Sequence, residues 1–337
     1  MVDFRPDQEQ EQRIRDKGSV FEVPEVHPVS ENRDHSNSVD AISANPVNRS
    51  CYVSASHDHT IKLWDANSHA CLKTMEGHRD GIWACNYLQD GKRLITASVD
   101  GTSKIWDTNS GNATANLAFH SSTVYDAKVN DAMTQACTVG ADKKICLWDL
   151  RNARQPIYVN EESTHSVTCC DFSNDQKAVM SATFGGHVNI IDLETMDRRV
   201  NYDIMVLSDV EEENMCYGIQ SVKNHPQGGN IFILSSGIGI PNLICYESWW
   251  DEPLQRLETI GKYFGHSAGI RHCEFSPDNS QMLSCCMDHS MRIWNNEDCT
   301  QKQILTGHTD VVTSGCWLNE RTVVTGSWDC KIMLWNL

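Results

Sequence analysis

Histidines, cysteines and acids are abundant along this 337-residue chain: 14 His, 15 Cys and 45 Asp or Glu. A His near an Asp and a Ser is the raw material of a hydrolase triad, and His with Cys is that of a zinc site. His57-Asp58-His59 even places two imidazoles around one carboxylate. The spacing argues against both chemistries. No Cys-x-x-Cys occurs, and the adjacent pairs Cys169-Cys170 and Cys285-Cys286 sit in apolar runs. Neighbours on a strand point to opposite faces, so neither pair clamps a metal. These cysteines read as small strand hydrophobes. The chain holds no G-x-x-x-x-G-K-[ST], G-x-S-x-G or H-E-x-x-H. The expectation is no catalytic residue, no metal and no cofactor.

The same residue types recur in register instead. His35, His78, His120, His266 and His308 each precede a hydroxyl: Ser54, Thr96, Thr138, Ser284 and Thr325. Four residues beyond each hydroxyl comes an acid: Asp58, Asp100, Asp142, Asp288 and Asp329. Six further on stands a tryptophan: Trp64, Trp106, Trp148, Trp294 and Trp335. A buried imidazole must satisfy two ring nitrogens, and an acid and a hydroxyl do so. Tryptophan supplies one donor and a large apolar face for a layer between sheets. The four are expected to form a structural network, which claims Asp58 for the fold rather than for a metal.

Trp64, Trp106 and Trp148 are spaced 42 residues apart and close the segments IKLWD, SKIWD and ICLWD. A period in the forties ending in Trp-Asp marks a radial array of small β-sheets. From about residue 19 to its end the chain resembles the WD40-repeat family. The resemblance implies an all-β fold, a seven-bladed β-propeller of four-stranded antiparallel blades. Five repeats are complete. A sixth carries His165 and Ser181, with Gly185 in place of the acid and Ile191 in place of the tryptophan. A seventh, between residues 200 and 262, has lost the network. Blades are expected at about 35–76, 77–119, 120–160, 165–205, 214–262, 265–305 and 307–337. The last repeat stops after its third strand, so 18–26 (GSVFEVPEV) is expected to pair with the C-terminal blade and close the ring. Residues 1–17 form a polar arm.

In the family, the residue before the turn acid and the residue five after the His ring the mouth of the central channel. Here the first set is His57, Val99, Ala141, Met287 and Trp328, and the second is Asp40, Trp83, Tyr125, Arg271 and Thr313. Grouped aromatic and arginine side chains are the usual anchors of a protein interface. His57, Trp83, Tyr125, Arg271, Met287 and Trp328 are therefore the candidate partner-binding residues. Asp209, Glu211, Glu212 and Glu213, in a connection to the same face, are expected to receive a peptide of basic character. Trp249 and Trp250, in YESWWDEP on the opposite face, are a second candidate contact. Trp148-Asp149-Leu150-Arg151 matches the W-D-x-R element, which in the family marks substrate receptors of cullin-type ubiquitin ligases. Only Arg151 adds information there, because the fold already fixes Trp148-Asp149.

Acids outnumber the 28 Lys and Arg, for a formal net charge of -17, so the summed field repels phosphate backbones and excludes nucleic acid as the main partner. No run of 18 apolar residues is present, so no membrane-spanning helix is expected. The charged start MVDFRPDQEQEQRIRDKG lacks a signal core, which predicts a cytoplasmic chain with free thiols. The reading is a non-enzymatic scaffold binding other proteins, a subunit of a hetero-complex in a cytosolic, cytoskeletal or nuclear assembly. The alternatives are a ubiquitin-ligase substrate receptor and a G-protein β-subunit-like adaptor.

Overall fold

The structure, a computed structural model, describes residues 23–196, 198–203, 217–224, 231–238, 243–249 and 256–337. Short runs of β-branched and aromatic residues alternate with turns rich in Asp, Asn and Gly, and they fold as strands of mostly five to eight residues. Seven sheets result. In the first, Val39–Ala44, Cys51–Ser56, Thr60–Asp65 and Cys71–Glu76 pair antiparallel in sequence order. The inner strands of the seven sheets are Val39–Ala44, Ile82–Tyr87, Val124–Val129, Val167–Phe172, Tyr217–Asn224, Ile270–Phe275 and Val312–Asn319. Each contacts the next, and the seventh contacts the first. The sheets are thus the blades of a closed propeller.

The core lies between blades rather than within one. Ala41, Val53 and Ile61 of the first blade pack with Ile82, Leu94 and Trp106 of the second. The second strand of a blade is covered on both faces, which explains why Leu94, Ile95, Thr96, Ala97 and Ser98 are all buried. The network tryptophans Trp64, Trp106, Trp148, Trp294 and Trp335 are at most 1% exposed. Truncating a side chain of this kind to alanine costs about 3–5 kcal/mol.

An N-terminal strand closes the ring on the last blade, as expected, but it is not the expected segment. The fourth strand of the last blade is Ser30–Asn32, antiparallel to Ile332–Asn336 with Ser30 opposite Leu334 and Asn32 opposite Ile332. The Val29 amide extends the ladder to the Leu334 carbonyl at 2.8 Å, and Lys331 pairs with Glu31 at 3.0 Å. Within the expected closing segment 18–26, Glu25–Val26 instead runs parallel to Gln301–Leu305 of the sixth blade. The rest of that segment up to residue 22, and the arm 1–17, lie outside the described residues. An outermost strand faces solvent, so a polar Ser-Glu-Asn suits it as well as an apolar alternation would. Pro28, between the two strands, lies so close to Gly307 that a Cβ there would come within 3.0 Å of the proline ring.

Candidate partner-binding site at the channel mouth

The structure brings each His, hydroxyl, Asp and Trp set together in five blades. His Nδ1 lies 2.7–2.9 Å from the Asp carboxylate, and Nε2 lies 2.7–2.9 Å from the Ser or Thr hydroxyl. The Trp indole donates to that same hydroxyl at 2.8–2.9 Å. A neutral imidazole protonated on Nδ1 satisfies this geometry. Nδ1–H donates to the acid, and the hydroxyl, accepting from the indole, donates to Nε2. The acid also accepts the backbone N–H following each His, for example Arg79 N–H onto Asp100 at 3.0 Å. Burial is the largest single influence and raises the carboxyls of Asp58, Asp100, Asp288 and Asp329, but the hydrogen bonds from the imidazole, from neighbouring side chains and from backbone amides, with the coulombic attraction of the imidazole, together outweigh it. They hold Asp58, Asp100 and Asp288 well below the usual carboxylate range and Asp329 at about 2. In the sixth blade Cys286 brings its sulfur near His266 and Asp288, a grouping of metal-ligand type. There His266 is engaged by Asp288 and Ser284, and the thiol donates to the Ala268 carbonyl at 3.0 Å.

The mouth of the channel is built by a repeated irregularity of the backbone. In all seven blades the pairing of the first two strands skips one residue: Asp40, Trp83, Tyr125, Thr168, Gln220, Arg271 and Thr313. A bulge of this kind releases one residue from the ladder and re-aims its side chain. All seven line one cavity of about 450 Å³ that opens on the face carrying the His loops. Trp83 stacks edge-on against both His57 and Tyr125, with centroids 5.3 and 6.0 Å apart. The Arg271 guanidinium lies 5.6 Å from the Trp83 ring and 5.9 Å from the Trp328 ring. Asp40 accepts from His57 at 2.9 Å and from the Trp328 indole at 3.2 Å. Burial pushes the Asp40 carboxyl up and the Arg271 guanidinium down from their ordinary values.

His57, Trp83, Tyr125, Arg271 and Trp328 are thus one cluster, and Trp328 is 39% exposed. Met287 is half-buried and, like His57 and Trp328, is not among the residues lining the cavity. Sequence reasoning missed Phe184, which lines the cavity and is 44% exposed. The signal was register. The Phe184 amide bonds the Ser166 carbonyl as Val99 bonds Gly81 and Trp328 bonds Val311, so Phe184 occupies the position before the turn acid.

The same register corrects the fourth blade, where Ser163, not His165, stands in the place of the network histidine. Ser163 Oγ and Ser181 Oγ are buried without a hydrogen-bond partner among the described residues. His165 is exposed and stacks on His187, with centroids 5.9 Å apart. It covers Gly185, where a Cβ would come within 2.3 Å of its Nδ1.

The remaining candidates lie elsewhere. Arg151 is exposed and folds back on Asp149, with Nε and Nη2 both on that carboxylate. Trp249 ends the third strand of the fifth blade, its backbone opposite Arg256. Trp250 and the acids Asp209, Glu211, Glu212 and Glu213 lie outside the described residues. Among the described residues no helix is long and apolar enough to cross a membrane.

Comparison with known proteins adds to this geometry. Five segments, 27–65, 69–107, 154–192, 257–295 and 299–336, match the family WD40, described as WD domain, G-beta repeat. Protein tipD of Dictyostelium discoideum is 41% identical over 93 residues, which are 28% of this chain and 15% of tipD. The SIR4-interacting protein SIF2 of Saccharomyces cerevisiae is 31% identical over 77 residues, 23% of this chain and 14% of that protein. Autophagic-related protein 16.2 of Caenorhabditis elegans is 27% identical over 283 residues, 80% of this chain and 50% of the relative. The chain therefore spans half or less of the length of each of these relatives.

Proposed function

Because the chain belongs to the WD40-repeat family, whose repeats generally serve as non-enzymatic interaction modules, we propose that it is a protein-binding scaffold that holds a segment of a partner at its channel mouth. The observation that carries this reading is one cavity lined by Trp83, Tyr125 and Phe184, with Trp328 joined to its Arg271 and Asp40; Phe184 and Trp328 are each more than a third exposed. Exposed aromatics rimmed by polar groups are typical of anchor sites. The strand bulges present Trp83 and Tyr125, and the turns between second and third strands present Phe184 and Trp328, all from a closed ring, so little ordering entropy is lost when a partner binds. A relative named for its interaction with SIR4 supports a binding role in the same way. The scaffold is proposed to act as a subunit of a larger assembly.

The ubiquitin-ligase reading is less favoured, because the Arg151 fork is already paired with Asp149 of its own chain. The scaffold reading predicts that Trp83→Ala with Trp328→Ala removes at least one protein co-purifying from the native source while cooperative unfolding survives. An unchanged set of co-purifying proteins would reject the mouth as the binding face.

A further inference from the structure

Two acids and several cations line the mouth cavity, and they differ in what remains open. Asp40 is occupied by its own chain: Oδ1 accepts from Trp328 Nε1 at 3.2 Å, and Oδ2 accepts from His57 Nδ1 at 2.9 Å and Ser38 Oγ at 3.1 Å. Asp126 accepts the amides of Ala127 at 2.8 Å and Cys170 at 3.1 Å. Arg271 carries five N–H donors. Among the described residues it makes one hydrogen bond, Nη1 to Gln220 Oε1 at 2.8 Å, and has no carboxylate at ion-pair distance. The flanking rings of Trp83 and Trp328 orient a planar cation but take none of its in-plane donors. Burial lowers the Arg271 pKa and the charge of Asp40 only partly restores it, as expected of a cation taken from water without full compensation. Deeper in the cavity, Lys128 donates to Asn86 at 2.6 Å and likewise has no ion-pair partner among the described residues.

We propose that the mouth cavity receives a carboxylate side chain, Glu or Asp, from an acidic protein segment, with Arg271 as its bidentate partner between Trp83 and Trp328. The inference rests on the mouth being the binding face and names the chemistry it selects. A guanidinium fork matches a carboxylate with two parallel hydrogen bonds, and a site screened from water strengthens them. The aromatic rim then covers the apolar neighbours of that side chain. Of the two acids, Asp40 is held by three donors of its own chain and Asp126 by one backbone amide on each oxygen, so neither offers a basic segment a carboxylate without partners. The net charge of -17 repels acidic chains at long range, so the open cation supplies short-range selectivity rather than steering.

The test passes three pools of short peptides, randomised except for Glu, Gln or Lys at the centre, over the immobilised full chain. Wild type is expected to retain the Glu pool about tenfold over the Gln pool, the discrimination of one charge-assisted pair. Arg271→Gln is expected to erase that preference and Arg271→Lys to keep part of it, with the melting temperature of each variant reporting its fold. The wild-type comparison stands even if a variant unfolds. Equal or stronger retention of the Gln or Lys pool overturns the carboxylate assignment and leaves the mouth as a binding face. Retention of no pool overturns both. Displacement of the Glu pool by sodium glutamate at the molarity of the peptide overturns assignment to a protein segment.

Discussion

In five blades an imidazole, an acid, a hydroxyl and an indole share one chain of hydrogen bonds, and every histidine in it is at most 9% exposed. The arrangement has the parts of a proton relay, but both ring nitrogens are engaged inside the blade. Removing the acid leaves a buried Nδ1–H and a loop amide without an acceptor. Asp100→Ala is therefore expected to cost about 1–3 kcal/mol, read from the urea midpoint; a change within about 0.5 kcal/mol would contradict a network role. The acids also set a pH dependence. A carboxyl whose folded pKa is depressed contributes stability that is full above its unfolded value, about 3.9, and is lost as pH falls through the folded value. For Asp329 that window runs from about 4 down to about 2, and Asp58, Asp100 and Asp288 shift the same way. The urea midpoint should fall across that window, and a midpoint flat through it would contradict the assignment. The spacing of these residues was legible because each partner must stand at a fixed strand position. Phe184 and Ser163 were not legible, because the fourth blade lacks the His, Asp and Trp that anchor the register.

At the scale of the element, the bulge and the turn decide where side chains go. The turns between second and third strands place His59, Lys143, His289 and Cys330 at φ of 64–71°, where glycine stands in the second blade as Gly101. A non-glycine residue there carries strain of about 1 kcal/mol or more, so Lys143→Gly is expected to raise the melting temperature. A lowered one would place the strain elsewhere. Closure by an N-terminal strand on the last blade holds, and only the segment differs from the expected one. An apolar alternation drew attention to 18–26, whereas the strand that completes the ring, Ser30–Asn32, carries little apolar signal. A chain starting at residue 27 is expected to melt close to the full-length chain. One starting at residue 33 exposes the edge of Ile332–Asn336 and should melt markedly lower or aggregate. Equal melting of the two would deny Ser30–Asn32 its closing role.

For the whole molecule, seven contacting inner strands make a disc with two faces, and the bulged residues open on one of them. Five blades were legible from the recurring tryptophan, since a repeat that buries its flanks only against its neighbours must keep its length, and the two between residues 165 and 262 from what remained of their strand pattern. The chemistry of the mouth was half legible. The ring positions followed from their offsets, while the occupied state of Asp40 and the open fork of Arg271 depend on contacts between blades far apart in sequence, such as Trp328 with Asp40. The central claim is that a partner sits on that face. Its most direct test is photo-crosslinking in native extract, from a benzophenone residue placed at Phe184 on the mouth rim and, separately, at Val47, which is 71% exposed in a loop of the opposite face. The account predicts a discrete crosslinked partner from position 184 and none of the same mass from position 47. The same partner captured from position 47, with none from position 184, would contradict it.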